Sequence, residues 1–327
     1  MDLNNALVPK VSVIVPVYRS EVYLERCCQS LFSQTLDAIE YLFILDGPSK
    51  TAEQIISDVL REYPQRQEWV SILSHTENRG ISYCRQEGHD QARGEYLYHC
   101  DSDDWLEVDA LRIVYETASK NKADLVFFDY VRHYEATGKE ARYSSSHVEH
   151  GNISTMDGTL HNILIRRQFV SSQGLTFPQG INWGEDLCMS VLLQILTTKI
   201  AYVPQVLYHY NMHDSSFTSD VNEEKYRQLV ACPQYVEQEL SRLQLSDRYA
   251  PLLLQMKYEV KEYYLIHPKL RNVRRWCSLY PECHSAIWRY ASVPFYLKCL
   301  SWLAVHHMQK LVEILLLCRD WVNRYRC

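Results

Sequence analysis

The stretch HCDSDDW, residues 99–105, places three carboxylates, Asp101, Asp103 and Asp104, within four positions. Like charges this close repel one another, so the arrangement needs solvation or a compensating partner. Three readings fit. The stretch can be a solvated acidic turn. Asp104 can cap a helix over WLEVDALRIVYE, its carboxylate accepting free backbone N–H groups. Alternatively, Asp101 and Asp103, two apart at a strand end, can point toward one hard divalent cation, for which carboxylate oxygens suit Mg2+ or Mn2+. The glycine and distal glutamate of an EF-hand loop are absent.

The elements that must position these acids alternate. VSVIVPVY (11–18) is a β-branched run that predicts a buried parallel strand, and EVYLERCCQSLFSQ (21–34) has helical spacing. Strands are expected at 39–47, 69–75, 94–104 and 123–134, with helices at 51–63 and 81–93. This alternation predicts an α/β layer with a mainly parallel sheet. Ligands of such sheets bind beyond the carboxyl ends of the strands. Tyr18, Asp46, Asn78 and Asp101 to Asp104 all fall there.

The middle of the chain is less regular. Residues 144–155 read as a polar loop, 160–178 as a helix and a turn, 180–198 as a loop entering a helix, and 199–218 as a segment ending in a hydroxyl-rich loop. From about 222 onward the pattern is helical. The expected organisation is a catalytic domain over 1–220 and a helical C-terminal region over 221–327. Of the chain's net charge of −6, residues 266–327 carry ten Lys/Arg against three Asp/Glu, so the preceding part is strongly acidic. Trp276, Trp288, Trp302 and Trp321 also lie in this tail, and residues 297, 300, 304, 308, 311 and 315 form an apolar helical stripe. Basic, tryptophan-bearing amphipathic helices can lie on an anionic membrane surface. Equally, the stripe can pack against the rest of the protein.

Composition narrows the function classes. The 327 residues can bury one large core, or one core and a smaller companion. A net charge of −6 argues against nucleic acid as a partner. The eleven cysteines show no C-x-x-C spacing, which predicts reduced thiols rather than a disulfide or zinc framework. The N-terminus lacks the apolar core of a signal peptide, and no apolar run reaches the ~20 residues of a membrane span, so a cytoplasmic location is expected.

A cation held by one or two carboxylates commonly also holds substrate phosphates. The chain has neither G-x-x-x-x-G-K-[ST] nor G-x-G-x-x-G. A diphosphate would then be neutralised mainly by the metal, which suits a nucleotide-sugar donor. VSVIVPVYRSEVYLERCCQSLFSQ, NRGISYCRQEGHDQARGEYLYHCDSDDW and WGEDLCMSVLL together resemble a family 2 glycosyltransferase of bacterial surface-polysaccharide type, in order and spacing over about residues 10–220. The resemblance implies a GT-A fold, Rossmann-like, and an inverting transfer of sugar from a nucleotide diphosphate, with a UDP-sugar favoured. It implies a Mn2+ or Mg2+ cofactor, a glycan or lipid-linked acceptor, and a place on the inner face of the cell membrane.

The resemblance also assigns roles. Pro16, Val17 and Tyr18, followed by Glu21, match the first strand-end motif around base and ribose. Asp46 matches a base-contacting aspartate, and Asn78, Gly80 and Arg85 the segment lining the nucleotide. Asp101, Ser102 and Asp103 match the D-x-D, with Asp103 as direct metal ligand, and His213 a further metal or diphosphate contact. Glu185 and Asp186 match the pair supplying the catalytic base, with Asp186 preferred; both can also cap a helix through its dipole. Trp183 and Trp105 are candidate acceptor platforms, with core tryptophans as the alternative. Leu45, Pro48 and Gln86 depart from the family pattern. An inactive nucleotide-binding scaffold remains an alternative, as does a sugar-nucleotide pyrophosphorylase, although VPVYRSEVYLE lacks the latter's glycine-rich basic loop.

Overall fold

A β-branched run buried on both faces starts the structure. β1 (Val11–Val17) has all but one of its side chains buried. In the computed structural model, which describes residues 8–150, 153, 158–214, 221–290 and 292–324, it is followed by α1 (Glu21–Phe32), β2 (Ile39–Leu45), α2 (Lys50–Leu60), β3 (Val70–Ser74), α3 (Ile81–Gln91) and β4 (Tyr96–His99). β1 lies between β2 and β4 and parallel to both, while β3 runs parallel along β2. Leu24, Cys27, Cys28, Leu31 and Phe32 of α1 are buried with the strand side chains of β1 and β2 in one core. Strands covered on both faces are apolar on both, which is why these read as continuous runs rather than alternating ones.

The sheet continues through β5 (Trp105–Leu106), α4 (Ala110–Asn121), β6 (Leu125–Tyr134), β7 (Lys139–Tyr143), β8 (Ile163–Arg166), α5 (Arg167–Gln173), α6 (Glu185–Leu196) and β9 (Ile200–Met212). Among the described residues the strand order is β3-β2-β1-β4-β8-β6-β9-β5, with β7 beside β6. β8 pairs antiparallel with both β4 and β6, so the second half is mixed rather than parallel.

β7, β8 and β9 depart from the sequence expectation. β8 is four residues long and runs directly into α5, so its apolar ILI merges with the helical pattern after it. β9 contains Pro204, and the register against β6 shifts around Asp129, which breaks the two-residue alternation. Asp104 is also placed differently from its possible role as a cap. α4 begins at Ala110 with Asp109 at its N-cap. Asp104 instead is fully buried and accepts Tyr208 Oη–H and the Asn211 N–H, at 2.5 and 2.7 Å. The third carboxylate of the cluster therefore ties the loop after β4 to β9. Of the hydroxyl-rich loop expected up to 218, residues 215–218 lie outside the described residues.

The residues from 221 onward form a second compact unit. It comprises α7 (Glu223–Arg242), α8 (Ser246–Glu259), α9 (Tyr263–Ile266), α10 (Val273–Ser278), a 3-10 segment (Pro281–Arg289), α11 (Phe295–Val305) and α12 (Gln309–Arg324). Its core includes Tyr226, Val236, Met256, Tyr258 and Trp276. Lys261 is completely buried there, and its ammonium donates to the carbonyls of Trp276 and Leu279 at 3.0 and 2.6 Å. Burial lowers its pKa to about 8.

The single stripe expected through 294–318 is two stripes. Leu297, Leu300 and Ala304 are buried, as the spacing predicts, but Met308, Leu311 and Leu315 are exposed. The helix breaks after Val305, where His307 takes a left-handed φ of 65°. α12 resumes one residue out of phase and buries Val312 and Leu316 instead.

Candidate active site

The ends of β1, β2 and β4 gather the predicted residues. Val17 is buried, and its carbonyl accepts the Asp46 N–H at 2.9 Å, which fixes the ends of β1 and β2 together. Pro16 precedes it within β1, and Tyr18 beyond the strand is about half exposed, at 48%. Glu21, at the start of α1, accepts Ser49 Oγ–H at 2.8 Å. Ser49 in turn caps α2 by accepting the Ala52 N–H.

Asp46 is buried and collects the loop before α3. Oδ1 accepts the Arg79 N–H at 2.6 Å, while Oδ2 accepts the Gly80 N–H at 2.9 Å and Asn78 Nδ2–H at 2.8 Å. Asn78 thus orients Asp46. Gly80 has a φ of +91°, and a Cβ there would lie 2.2 Å from Asn182 Oδ1, so only glycine fits.

Arg85 on α3 joins the two acidic motifs. Its Nη2 donates to Asp101 Oδ1 at 2.9 Å, and its Nη1 to Glu185 Oε1 at 2.6 Å. The side chains of Arg85 and Glu185 are each 5% exposed, while that of Asp101 is 27% exposed. Glu185 and Asp186 form the first turn of α6, where the helix dipole favours negative charge. Burial pushes the Glu185 carboxyl up and the neighbouring Asp186 adds to this, while the Arg85 guanidinium pulls it down. Burial likewise raises Asp186, to about 6, against the pull of Arg85. Arg85 stays charged throughout, since the surrounding carboxylates outweigh its desolvation.

The other end of the D-x-D faces β9. His213 Nε2 lies 2.9 Å from Asp103 Oδ2, and the Tyr23 ring lies 4.3 Å from the His213 ring. Ser102 between the two aspartates is buried, its Oγ 2.6 Å from Ser20 Oγ. The motif therefore diverges: Asp101 turns to Arg85 and Asp103 to His213. Together they do not make a closed cage.

The two tryptophans differ from a pair of open platforms. Trp105 is half-buried, with the Arg26 guanidinium 3.6 Å from its ring centroid. His209 stacks on it at 4.9 Å and His133 at 4.8 Å. Its ring is thus engaged by protein groups. Trp183 is half-buried in the loop just before α6. Arg26, Asn182 and Tyr208 complete the surroundings without having been legible in the sequence. Arg26 has no spacing signal within α1, and the other two depend on contacts 100 or more positions away.

Known proteins resemble this chain in sequence and in fold. Residues 12–177 match the family model described as Glycosyl transferase family 2. A putative glycosyltransferase, EpsH, of Bacillus subtilis is 29% identical over 280 residues, covering 82% of this chain and 78% of that protein. TarP of Staphylococcus aureus, a poly(ribitol-phosphate) β-N-acetylglucosaminyltransferase, is 25% identical, covering 77% of this chain and 85% of that protein. Among solved structures, S. aureus TarS 1–349 with UDP-GlcNAc superimposes with a TM-score of 0.68 at 17% identity, covering 91% of this chain and 88% of that one. The fold is accordingly GT-A with a helical C-terminal region. With half of its length in the matching model, the chain belongs to glycosyl transferase family 2.

Proposed function

We propose that this glycosyltransferase moves a sugar from a nucleotide-diphosphate donor, with UDP-sugar favoured, to a glycan or lipid-linked acceptor. The anomeric configuration inverts, and the product enters a surface polysaccharide. Residues 1–220 carry the transfer and 221–327 the attachment to its setting. The observation that carries the reading is the Arg85 bridge between Asp101 and Glu185, since it holds the D-x-D and the acidic pair in one site. TarS is described with UDP-GlcNAc bound, which supports a uridine donor. TarP, named for poly(ribitol-phosphate) transfer, supports a polymeric surface acceptor.

The residues fit a divalent cation. Asp103 offers a partly exposed carboxylate beside an imidazole nitrogen 2.9 Å away, a donor set suited to Mn2+ and, with water, Mg2+. When bound, that cation offsets the charge that grows on the departing diphosphate. Asp46, Asn78 and Gly80 form the wall at which the base is read, with Pro16, Val17, Tyr18 and Glu21 beside it. Asp186 takes the proton from the attacking acceptor hydroxyl, which is too weak a nucleophile without a base. Arg85 holds Glu185 away from that task and leaves Asp186 as the base.

The second unit supports attachment to an anionic membrane face on the cytoplasmic side. No described helix is long and apolar enough to cross a membrane. However, Trp288, Phe295, Tyr296, Trp302, Ile314 and Trp321 are 41–74% exposed in a basic segment. A thermal-shift screen of nucleotide sugars with and without Mn2+ tests the donor reading. A UDP-sugar that binds the folded state raises the melting temperature, more so with Mn2+. No shift with any nucleotide sugar would overturn it.

A further inference from the structure

Beside the base-reading wall, one buried imidazole nitrogen lies near a carboxylate without a hydrogen bond to it. His75, just past β3, has a side chain only 9% exposed. Its Nε2 lies 2.6 Å from Glu87 Oε2, the spacing of an N–H donating to a carboxylate. In that tautomer Nδ1 carries a lone pair. Nδ1 has no hydrogen-bond partner and faces Asp46 Oδ1 at 3.5 Å. A nitrogen and a carboxylate oxygen thus lie side by side inside the protein without a hydrogen bond joining them, as two ligand atoms of one ion would.

The third group there is Cys84 of α3, a fully buried thiol. Ligand atoms of Asp46, His75 and Cys84 all lie within 4.8 Å of one another. Zinc bonds of about 2.0–2.3 Å set tetrahedral ligand atoms roughly 3.3–3.8 Å apart. The 3.5 Å between Nδ1 and Oδ1 is too long for a good hydrogen bond but matches two atoms bridged by a metal. The supporting shell is present as well. Glu87 fixes the histidine tautomer from the far side, and the N–H groups of Arg79 and Gly80 fix the carboxylate.

We infer that Asp46, His75 and Cys84 form a second cation site, for a zinc-class ion, separate in its ligands from Asp103 and His213. One oxygen, one nitrogen and one sulfur suit a borderline-soft metal such as Zn2+ rather than Mg2+. On binding, the Cys84 thiol gives up its proton to solvent and the thiolate sulfur ligates the ion. A fourth position stays open to water. Because Asp46 is then committed to the ion, the site acts as a brake on nucleotide binding. That half of the inference rests on the role proposed above for Asp46, whereas the ion binding itself does not.

Cobalt(II) is the probe, since a thiolate ligand gives it a near-ultraviolet charge-transfer band that carboxylate and imidazole ligands at Asp103 and His213 cannot. The wild-type protein is expected to show the band. Cys84→Ser should lose it, and Glu87→Gln should weaken cobalt binding about 10- to 100-fold, the usual effect of removing an outer-shell partner. Absence of the band in the wild type, or its survival in Cys84→Ser, overturns the site. Should Cys84→Ser fail to fold, X-ray absorption at the zinc edge of the zinc-loaded wild type must show one sulfur scatterer, and a shell of only oxygen and nitrogen overturns the site. Uridine, which lacks the chelating phosphates, tests the brake and should bleach the band. A band unchanged at uridine concentrations that raise the melting temperature overturns the brake. If uridine gives no thermal shift at all, the nucleotide reading fails while the metal site stands.

Discussion

Arg85 and Glu185, 100 positions apart in the chain, meet at 2.6 Å with both side chains 5% exposed. A buried ion pair of this kind owes its strength to the absence of water, and it fails when one partner is removed. Arg85→Met leaves Glu185 as an uncompensated buried charge, for which the expected loss is about 3–5 kcal/mol. Arg85→Met combined with Glu185→Met should recover much of it. Urea denaturation of the single and double variants checks this, and a double variant no more stable than Arg85→Met would deny the pairing its structural role.

Asp103→Ala should abolish transfer and the Mn2+-dependent part of donor binding while the fold survives, since the carboxylate is partly exposed and its partner is His213. His213→Ala should weaken Mn2+-dependent binding to a smaller extent. Calorimetry of donor binding with and without Mn2+ decides. Near-normal metal dependence in Asp103→Ala would remove it as a ligand.

Asp186→Asn should lower kcat by about 100-fold or more, the scale of losing a general base, with little change in donor KM. The pH profile carries a second signature. The base works deprotonated, and burial raises its carboxyl to about 6, so kcat should fall as pH drops through that value. In Asp186→Asn this acid limb should disappear from the residual rate. A limb that persists unchanged would assign it to another group.

The parallel half of the sheet was legible because its strands are buried on both faces and bounded by turns. VSVIVPV announces a strand without any knowledge of its neighbours. Of the strands in the second half only β6 was, expected at 123–134 and found at Leu125–Tyr134, whereas β8 is identifiable only by lying between β4 and β6. The D-x-D and the acidic pair stood out as residue types at strand and helix ends. Their connection through Arg85 did not, because spacing along the chain carries no information about a contact across 100 positions. Asp104 shows the same limit from the other side. Three acids within four positions look equivalent in sequence, yet the fold divides them: Asp101 to an arginine, Asp103 to a histidine and Asp104 to a tyrosine and a backbone N–H.

That division predicts a cost for Tyr208→Phe. The change removes the hydroxyl that donates to Asp104 inside the core and leaves part of that carboxylate unsatisfied. A loss of about 1–3 kcal/mol is expected. Because the same contact holds the loop bearing Asp103, Mn2+-dependent donor binding should weaken too. Unchanged melting temperature and unchanged metal dependence together would show that the loop is held by other means.

The phase shift at His307 splits the apolar residues of α12 between a packed and an exposed face. α12 buries Val312 and Leu316, which sit four apart on one face. Leu311, Ile314, Leu315 and Trp321 project elsewhere and are 38–63% exposed. A helix apolar on two faces is packed through one and leaves the other for a second apolar phase. Lys310 beside this stripe is exposed, and each such lysine near an anionic surface contributes roughly 1 kcal/mol. Arg319 is less suited to that role, since it already bonds Asp320 and the Ile266 carbonyl. Ile314→Ser with Leu315→Ser should therefore leave the melting temperature nearly unchanged and reduce co-sedimentation with anionic vesicles by at least about tenfold, because fully burying either side chain is worth about 1.5–3 kcal/mol. Lys310→Glu should weaken binding at low salt and matter little at high salt. Val312→Ser, on the packed face, should instead destabilise the fold. If the Ile314 and Leu315 variant pellets with vesicles as well as the wild type, the stripe does not face lipid; if the wild type never pellets and is dimeric in solution, a second copy of the chain covers it.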